Sequence, residues 1–324
     1  MYFANRGKLL SSAEDSTIAV TRTRDWSLLS TIKAPIPKAL GRPSGDTAPV
    51  GGAPSGINDF AVHPSMKLMI SVGKSEKCMR LWNLVTGKKA GALGFEREML
   101  NEVGEGKWSS GEGRRVVWDA EGEQFVVVFE RGALVFGVDC KVRCKVVTRQ
   151  KTKLHQLVYV DVGGERSLIA ASTEDGRILF FSTSEEYLED VKEKETLKSA
   201  RLVAQLGGKE AGVVGRIKDF SLLRHEDSFI ISTANSEGVV KVWSVGVEEL
   251  NTMEESGREE ARKVGKVLGT LETNNRITCL VSYVMLPAIE GDGVKEEEEK
   301  EEHEQRVEKD SESDNESESE RSEL

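Results

Sequence analysis

The sequence predicts an all-β fold, a propeller-type stack of repeated sheets interrupted by long loop insertions. Two observations predict it. An apolar strand, a tight acidic turn and a second strand of alternating bulky residues recur five times. The intervening apolar runs are short, rich in Val, Ile, Thr and Phe, and broken by turn residues, which disfavours helix. A unit that repeats in this way cannot bury its own face and must stack on its neighbours.

The clearest copies are 171–181 (ASTEDGRILFF) and 232–244 (STANSEGVVKVWS), with a strong variant at 71–84 (SVGKSEKCMRLWNL). A weaker copy lies at 11–22 and a degenerate one at 126–138. Their turn residues align as Asp15, Glu76, Arg131, Asp175 and Glu237, at spacings of 61, 55, 44 and 62. A four-stranded blade repeats every ~40–45 residues, so three spacings are too long. Insertions at about 33–56, 95–112 and 185–212 account for the excess. Helix is expected only within them, over Glu96–Val103 and part of Glu185–Leu202.

Within a repeat, residues 57–64 read as a first strand stopped by Pro64, which lacks a ladder donor. Residues 67–72 form the second strand, and Met79, Leu81 and Leu84 carry the third. The runs 217–223, 228–233 and 239–243 repeat that order. Arg276–Val284 reads as one more inner strand without partners.

At 38% hydrophobic and 31% charged, the chain has enough apolar sequence for a sizeable core through about residue 286. No run of ~18 apolar residues occurs and no charged-then-apolar leader opens the sequence, so no membrane span or secretory signal is expected. The net charge of −10 is carried by residues 295–324, with fifteen acids and five bases. Residues 287–324 have too few apolar groups to offset ordering entropy and are expected to be a disordered acidic tail. Ser311, Ser313 and Ser317 each precede an acid by three positions, a pattern that acidophilic kinases use. The tail is either a solubilising segment or a contact for basic proteins, such as ribosomal proteins, strengthened by phosphorylation.

Residues for chemistry are sparse. Cys140 and Cys144 form a C-x3-C without a second ligand pair, and with Cys78 and Cys279 read as free thiols. Of the four histidines, His63, His155, His225 and His303, His155 and His303 have no Ser or Cys partner in a nucleophile-elbow setting, and His63 is expected to make a structural hydrogen bond. Gly104, Gly106 and Lys107 lack the spacing of a phosphate loop. No cofactor, metal or enzymatic activity is expected. No interleaved basic and aromatic stripe marks a nucleic-acid site, although a local RNA contact through Lys107, Arg114, Arg115, Arg216 or Lys218 stays open. Lys88 and Lys89, with Arg216, Lys218 and Arg276, are candidates for a partner surface.

The combination of His63-Pro64, 71–84 and 172–181 resembles WD40 repeats. The resemblance implies that Asp15, Glu76, Asp175 and Glu237 support tight blade corners and that Trp82 and Trp243 pack between blades. Phe181 replaces the aromatic once, Thr21 and Gly137 stand in for it weakly, and Arg131 departs from the turn acid. The longer strings 80–91 (RLWNLVTGKKAG), 106–118, 129–140, 216–220 (RIKDF) and 271–280 (LETNNRITCL) resemble the nucleolar p21-activated-kinase-interacting-protein-like family.

That resemblance implies a non-enzymatic scaffold with pre-60S proteins as partners, acting in large-subunit assembly in the nucleus and nucleolus. The alternative it implies is a scaffold that binds and negatively regulates a p21-activated-type kinase. Against the family's seven blades, this chain looks N-terminally truncated, with about five. Met1–Ile32 is expected to supply outer strands without an inner one. The result is an open arc, unless Arg276–Val284 completes the first blade and closes a ring.

Overall fold

Each copy of the repeat becomes one antiparallel sheet. The computed structural model describes residues 1–5, 7–35, 56–106, 109–164, 167–191, 195–252 and 261–285. The first sheet is β1 (Tyr2–Asn5), β2 (Lys8–Ser12), β3 (Thr17–Arg22) and β4 (Leu28–Lys33). The second is β5 (Ile57–Val62), β6 (Leu68–Gly73), β7 (Cys78–Asn83) and β8 (Lys88–Gly94). After helix α1 (Arg97–Glu102) comes the third, β9 (Arg115–Trp118), β10 (Gln124–Val128), β11 (Gly132–Gly137) and β12 (Val142–Val147). The fourth is β13 (Leu154–Asp161), β14 (Ser167–Thr173), β15 (Arg177–Ser182) and β16 (Arg201–Gly207). The fifth opens with β17 (Ile217–His225), β18 (Ser228–Asn235) and β19 (Val239–Gly246). Helix α2 (Val247–Asn251) and β20 (Arg262–Lys263), which pairs parallel with β16, precede its last strand, β21 (Lys266–Glu272).

The sheets stack in chain order with first strands adjacent: β5 lies against β2 and β9, and β13 against β9 and β17. Each seam holds its own apolar core. Leu10, Ile18, Phe60, Met69 and Trp82 fill the first seam, and Ile70, Val72, Phe125, Val127 and Phe136 the second. Val126, Val135, Leu157, Ile169 and Phe181 fill the third; Leu168, Phe180, Phe220, Ile231 and Trp243 the fourth. Strand alternation explains the partition, because neighbouring residues such as Val126 and Val127 point to opposite faces. This is the stacking a propeller-like all-β fold requires. Among the described residues, no packing of comparable extent joins the fifth sheet to the first.

Four expectations need correction. The first sheet has a strand in the inner place, since β1 pairs with β2 through Tyr2 and Leu10. The stretch 185–212 holds two 3-10 turns, Glu185–Tyr187 and Lys209–Ala211, rather than longer helix among its described residues, and between them lies β16, an ordinary fourth strand. The expected helix in 95–112 is present as α1, and its Leu100, with Phe95 and Val103, enters the second seam.

The third correction concerns the degenerate copy. In every sheet the register between third and fourth strands shifts at one place, before Thr21, Trp82, Phe136, Phe181 and Trp243. These five are therefore equivalent, and the third sheet's aromatic is Phe136, not Gly137. The turn joining β10 to β11 is tighter than its counterparts, since Val128 already pairs with Ala133, and this displaces the copy by one. The position faces the preceding sheet, where Phe136 stacks on Phe125 with centroids 5.2 Å apart. Thr21 belongs to the first sheet, whose outer face packs on no other sheet among the described residues.

The fourth correction concerns Arg276–Val284. Asp59 on β5 accepts a hydrogen bond from the Val116 amide of β9 (3.0 Å), and Asp219 at the matching place on β17 accepts one from the Leu280 amide (2.9 Å). Ser221 Oγ also accepts from the Ser282 amide at 3.0 Å. Residues 276–282 thus run beside the fifth sheet, in the place a sixth first strand would take. They do not complete the first sheet. A register shift between Ile57 and Asp59, and again between Ile217 and Asp219, turns each carboxylate toward the next repeat.

Candidate partner-binding surface

The turns between second and third strands show how most of the singled-out residues are used. Asp15 Oδ1 accepts hydrogen bonds from the Thr17 amide (3.0 Å) and hydroxyl (2.6 Å). Asp175 is pushed up by burial, but its bonds with Arg177 and Thr173 hold its carboxyl below the usual range. Glu76 forms a buried two-pronged ion pair with Arg80. Glu237 is exposed, and the work of its turn falls to Asn235, whose Oδ1 accepts from the amides of Glu237 (3.1 Å) and Val239 (2.8 Å). Gly176 and Gly238 follow the turn acids at φ of +82° and +87°, which a side chain would strain. Trp82 Nε1 donates to Ser71 Oγ (2.8 Å) and Trp243 Nε1 to Thr233 Oγ1 (3.1 Å), while Phe181 is buried without a polar tie. Sequence reasoning missed Ser71, Thr233 and Asn235, although each stands in the last half of a second strand.

His63 makes the structural bonds expected of it. Its Nδ1 accepts from the Ser65 amide (3.0 Å), so Nε2 carries the proton donated to the Gly122 carbonyl (3.0 Å). This ties the second sheet to the third, where the imidazole also lies edge-on to Trp118 at 4.7 Å. Cys144 is buried in the third seam, and burial pushes its thiol up to about 12; Cys140 lies in the turn before β12.

Two insertions meet at a buried lysine. Lys145 Nζ on β12 pairs with Glu102 of α1 at 2.6 Å and with Glu195 at 2.8 Å. Glu102 also accepts from the Thr196 amide, and the Lys145 amide donates to the Lys198 carbonyl. Residues 195–200 thereby cover the edge of β12. A cleft of about 510 Å³ beside this junction is lined by residues including Glu98, Arg131, Thr148 and Lys151.

The candidate surface lies where first strands begin. Arg216 and Lys218, at the start of β17, and Arg276, ahead of the sixth-strand segment, converge with Glu174. A hollow of about 430 Å³ is lined by Glu174, Arg216, Ser236, Glu237 and Arg276. Burial, Arg216 and Arg276 together pull the Lys218 ammonium below its ordinary value. His155, at the start of β13, is held down to about 4 by burial and by Lys218, Arg216 and Arg114, against a smaller opposing pull from Glu174. Its Nε2 is buried without a partner among the described residues. Arg114 pairs with Glu130 at 3.3 Å, whereas Arg216, Lys218 and Arg276 make no ion pair among the described residues.

Three of the five predicted surface residues are thus brought together. Lys88 and Lys89 are not, because they lie on β8, an outer strand, fully exposed. Lys107, residues 36–55, and Ser311, Ser313 and Ser317 with the rest of the acidic segment lie outside the described residues.

No family model matches the chain. Curated relatives do. The p21-activated protein kinase-interacting protein 1-like protein of Gallus gallus is 25% identical over 283 residues, 87% of this chain and 58% of that protein. Protein MAK11 of Saccharomyces cerevisiae is 27% identical over 251 residues, 74% of this chain and 52% of its own length. The human p21-activated protein kinase-interacting protein 1 is 22% identical over 248 residues, 74% of this chain and 50% of that protein. The chain spans about half the length of these relatives, and the family resemblance read from the sequence is shown across most of it.

Proposed function

We propose that this protein is a non-enzymatic interaction scaffold in assembly of the large ribosomal subunit, located in the nucleus and nucleolus. The observation that carries this reading is the division of labour among its polar residues. Asp15, Glu76 and Asp175 are engaged within their turns, His63 and the Lys145 cluster tie neighbouring segments together, and Arg216, Lys218 and Arg276 converge at one open hollow without an ion pair among the described residues. Such a surface suits docking. The family resemblance supplies the large-subunit context, and similarity to the yeast relative over 74% of this chain supports it. Proteins of the pre-60S particle are the proposed partners.

The experiment is sedimentation of the tagged full chain from nuclear extract. Co-migration with pre-60S particles is the expected result. The printed names of the chicken and human relatives favour a second reading, a scaffold that binds and restrains a p21-activated-type kinase. A pool bound to kinase and free of particles would overturn the first reading in favour of the second.

A further inference from the structure

We infer that the hollow where Arg216, Lys218 and Arg276 converge takes an acidic linear segment of a partner protein, whose carboxylates or phosphoserines supply the counter-charge the site lacks. This names the partner chemistry of the surface above and rests on the scaffold reading.

Several cations that sit between strands or sheets are paired. Arg80 has Glu76, Lys145 has Glu102 and Glu195, Lys153 and Arg114 share Glu130, and Arg177 has Asp175. At the hollow, three cations from two segments are held close enough to act on one another, with no ion pair among the described residues. Glu237, on the wall, accepts a hydrogen bond from Ser236 Oγ (3.2 Å), and Glu174 stands within electrostatic reach without closing an ion pair. Besides burial, repulsion among the cations already acts on Lys218 and His155, and a bound anion would relieve it.

Shape and charge select the class of anion. The hollow is an open, shallow concavity of about 430 Å³ bordered by two glutamates. A nucleic-acid backbone would need a continuing basic track and stacking surfaces, and the glutamates would interrupt such a track. A short segment with its own spaced acids fits between them, with its charges on the arginines and its backbone past the glutamates.

The test uses the full chain and a fluorescent twelve-residue peptide of alternating glutamate and phosphoserine, with a serine–glycine peptide and a uridine dodecamer as comparisons. Salt-sensitive binding of the acidic peptide is expected. R216E/R276E should weaken it about tenfold or more, and K88E/K89E should leave it unchanged. The neutral variant Arg276→Gln should weaken it by a smaller factor, which keeps the test decisive if the reversal variant misfolds. The peptide should also raise the His155 titration midpoint in NMR spectra, because an anion favours the imidazolium.

Absence of peptide binding, or binding indifferent to these substitutions, overturns the inference. So does tighter binding of the uridine dodecamer that is lost in the same variant. A wild-type chain that joins pre-60S particles but ignores the peptide sinks this inference alone. One that binds the peptide without joining particles sinks the ribosome-assembly reading alone.

Discussion

The third and fifth sheets share one strand order and sit in opposite environments. In the third, all six residues of β11 are buried, and β10 contributes Phe125, Val126, Val127 and Val128 at 1% exposure or less. In the fifth, all seven residues of β21 are exposed, including Leu268 and Leu271, and Val242 on β19 is only half-buried. Part of the contrast is position, since β11 is an apolar third strand and β21 an outer strand carrying Lys266, Thr270 and Glu272. The third sheet has a neighbour on each face, while the fifth has the fourth sheet on one face and the single segment 276–282 on the other. Burial in a stacked fold is conferred by neighbours.

The largest expected effect lies in that contrast. Phe136→Ala should cost about 3–5 kcal/mol in urea unfolding, since it opens a cavity beside Phe125. Leu271→Ala should stay within about 0.5 kcal/mol. Equal effects would break the comparison.

The aspartate pair sharpens it. Asp59→Ala strips the amide of Val116, on a strand that leads a whole sheet, while Asp219→Ala strips Leu280, on a segment with no sheet of its own among the described residues. An unmade buried bond costs about 1–3 kcal/mol. Asp59→Ala should show that loss globally. Asp219→Ala should instead speed hydrogen exchange at Leu280 and proteolysis after Arg276 while leaving most of the global stability in place.

The smallest effect is set by pH. The His155 imidazole is held at about 4 in the fold, below its ordinary 6.5. Its contribution is complete above pH ~6.5 and is lost as pH falls toward 4, because the unfolded chain takes up the proton first. The slope is at most ~1.4 kcal/mol per pH unit. Comparing unfolding of wild type and His155→Gln at pH 7, 6 and 5 should show the wild type losing more. Parallel profiles would mean that the cations near β13 do not act on His155.

The recurrence was legible because turn chemistry is local: Asp15, Glu76 and Asp175 are spent where the chain turns. What could not be read depends on distant partners. Nothing near Lys145 announces that Glu102 and Glu195 will bury it. The tight β10–β11 turn displaced Arg131 and Gly137 from their counterparts, and only the shared register shift identifies Phe136. Arg216, Lys218 and Arg276 were legible individually as surface cations. Their convergence was not, because Arg276 reaches the hollow only when Asp219 and Ser221 hold the segment that follows it.

The register shift before Thr21, Trp82, Phe136, Phe181 and Trp243 also bears on solubility. It places a bulge in the outermost original strand of every sheet, and an outermost strand is where a second molecule would add its own strand and begin aggregation. A bulged edge is a poor template for such growth. Residues 195–200 further shield β12, and β20 shields β16. On β8 no such cover occurs among the described residues, and there Lys88 and Lys89 stand beside the bulge, where adding a strand would confine their charges. Two lysines that the sequence offers as contacts thus stand where charge opposes the addition of another chain's strand.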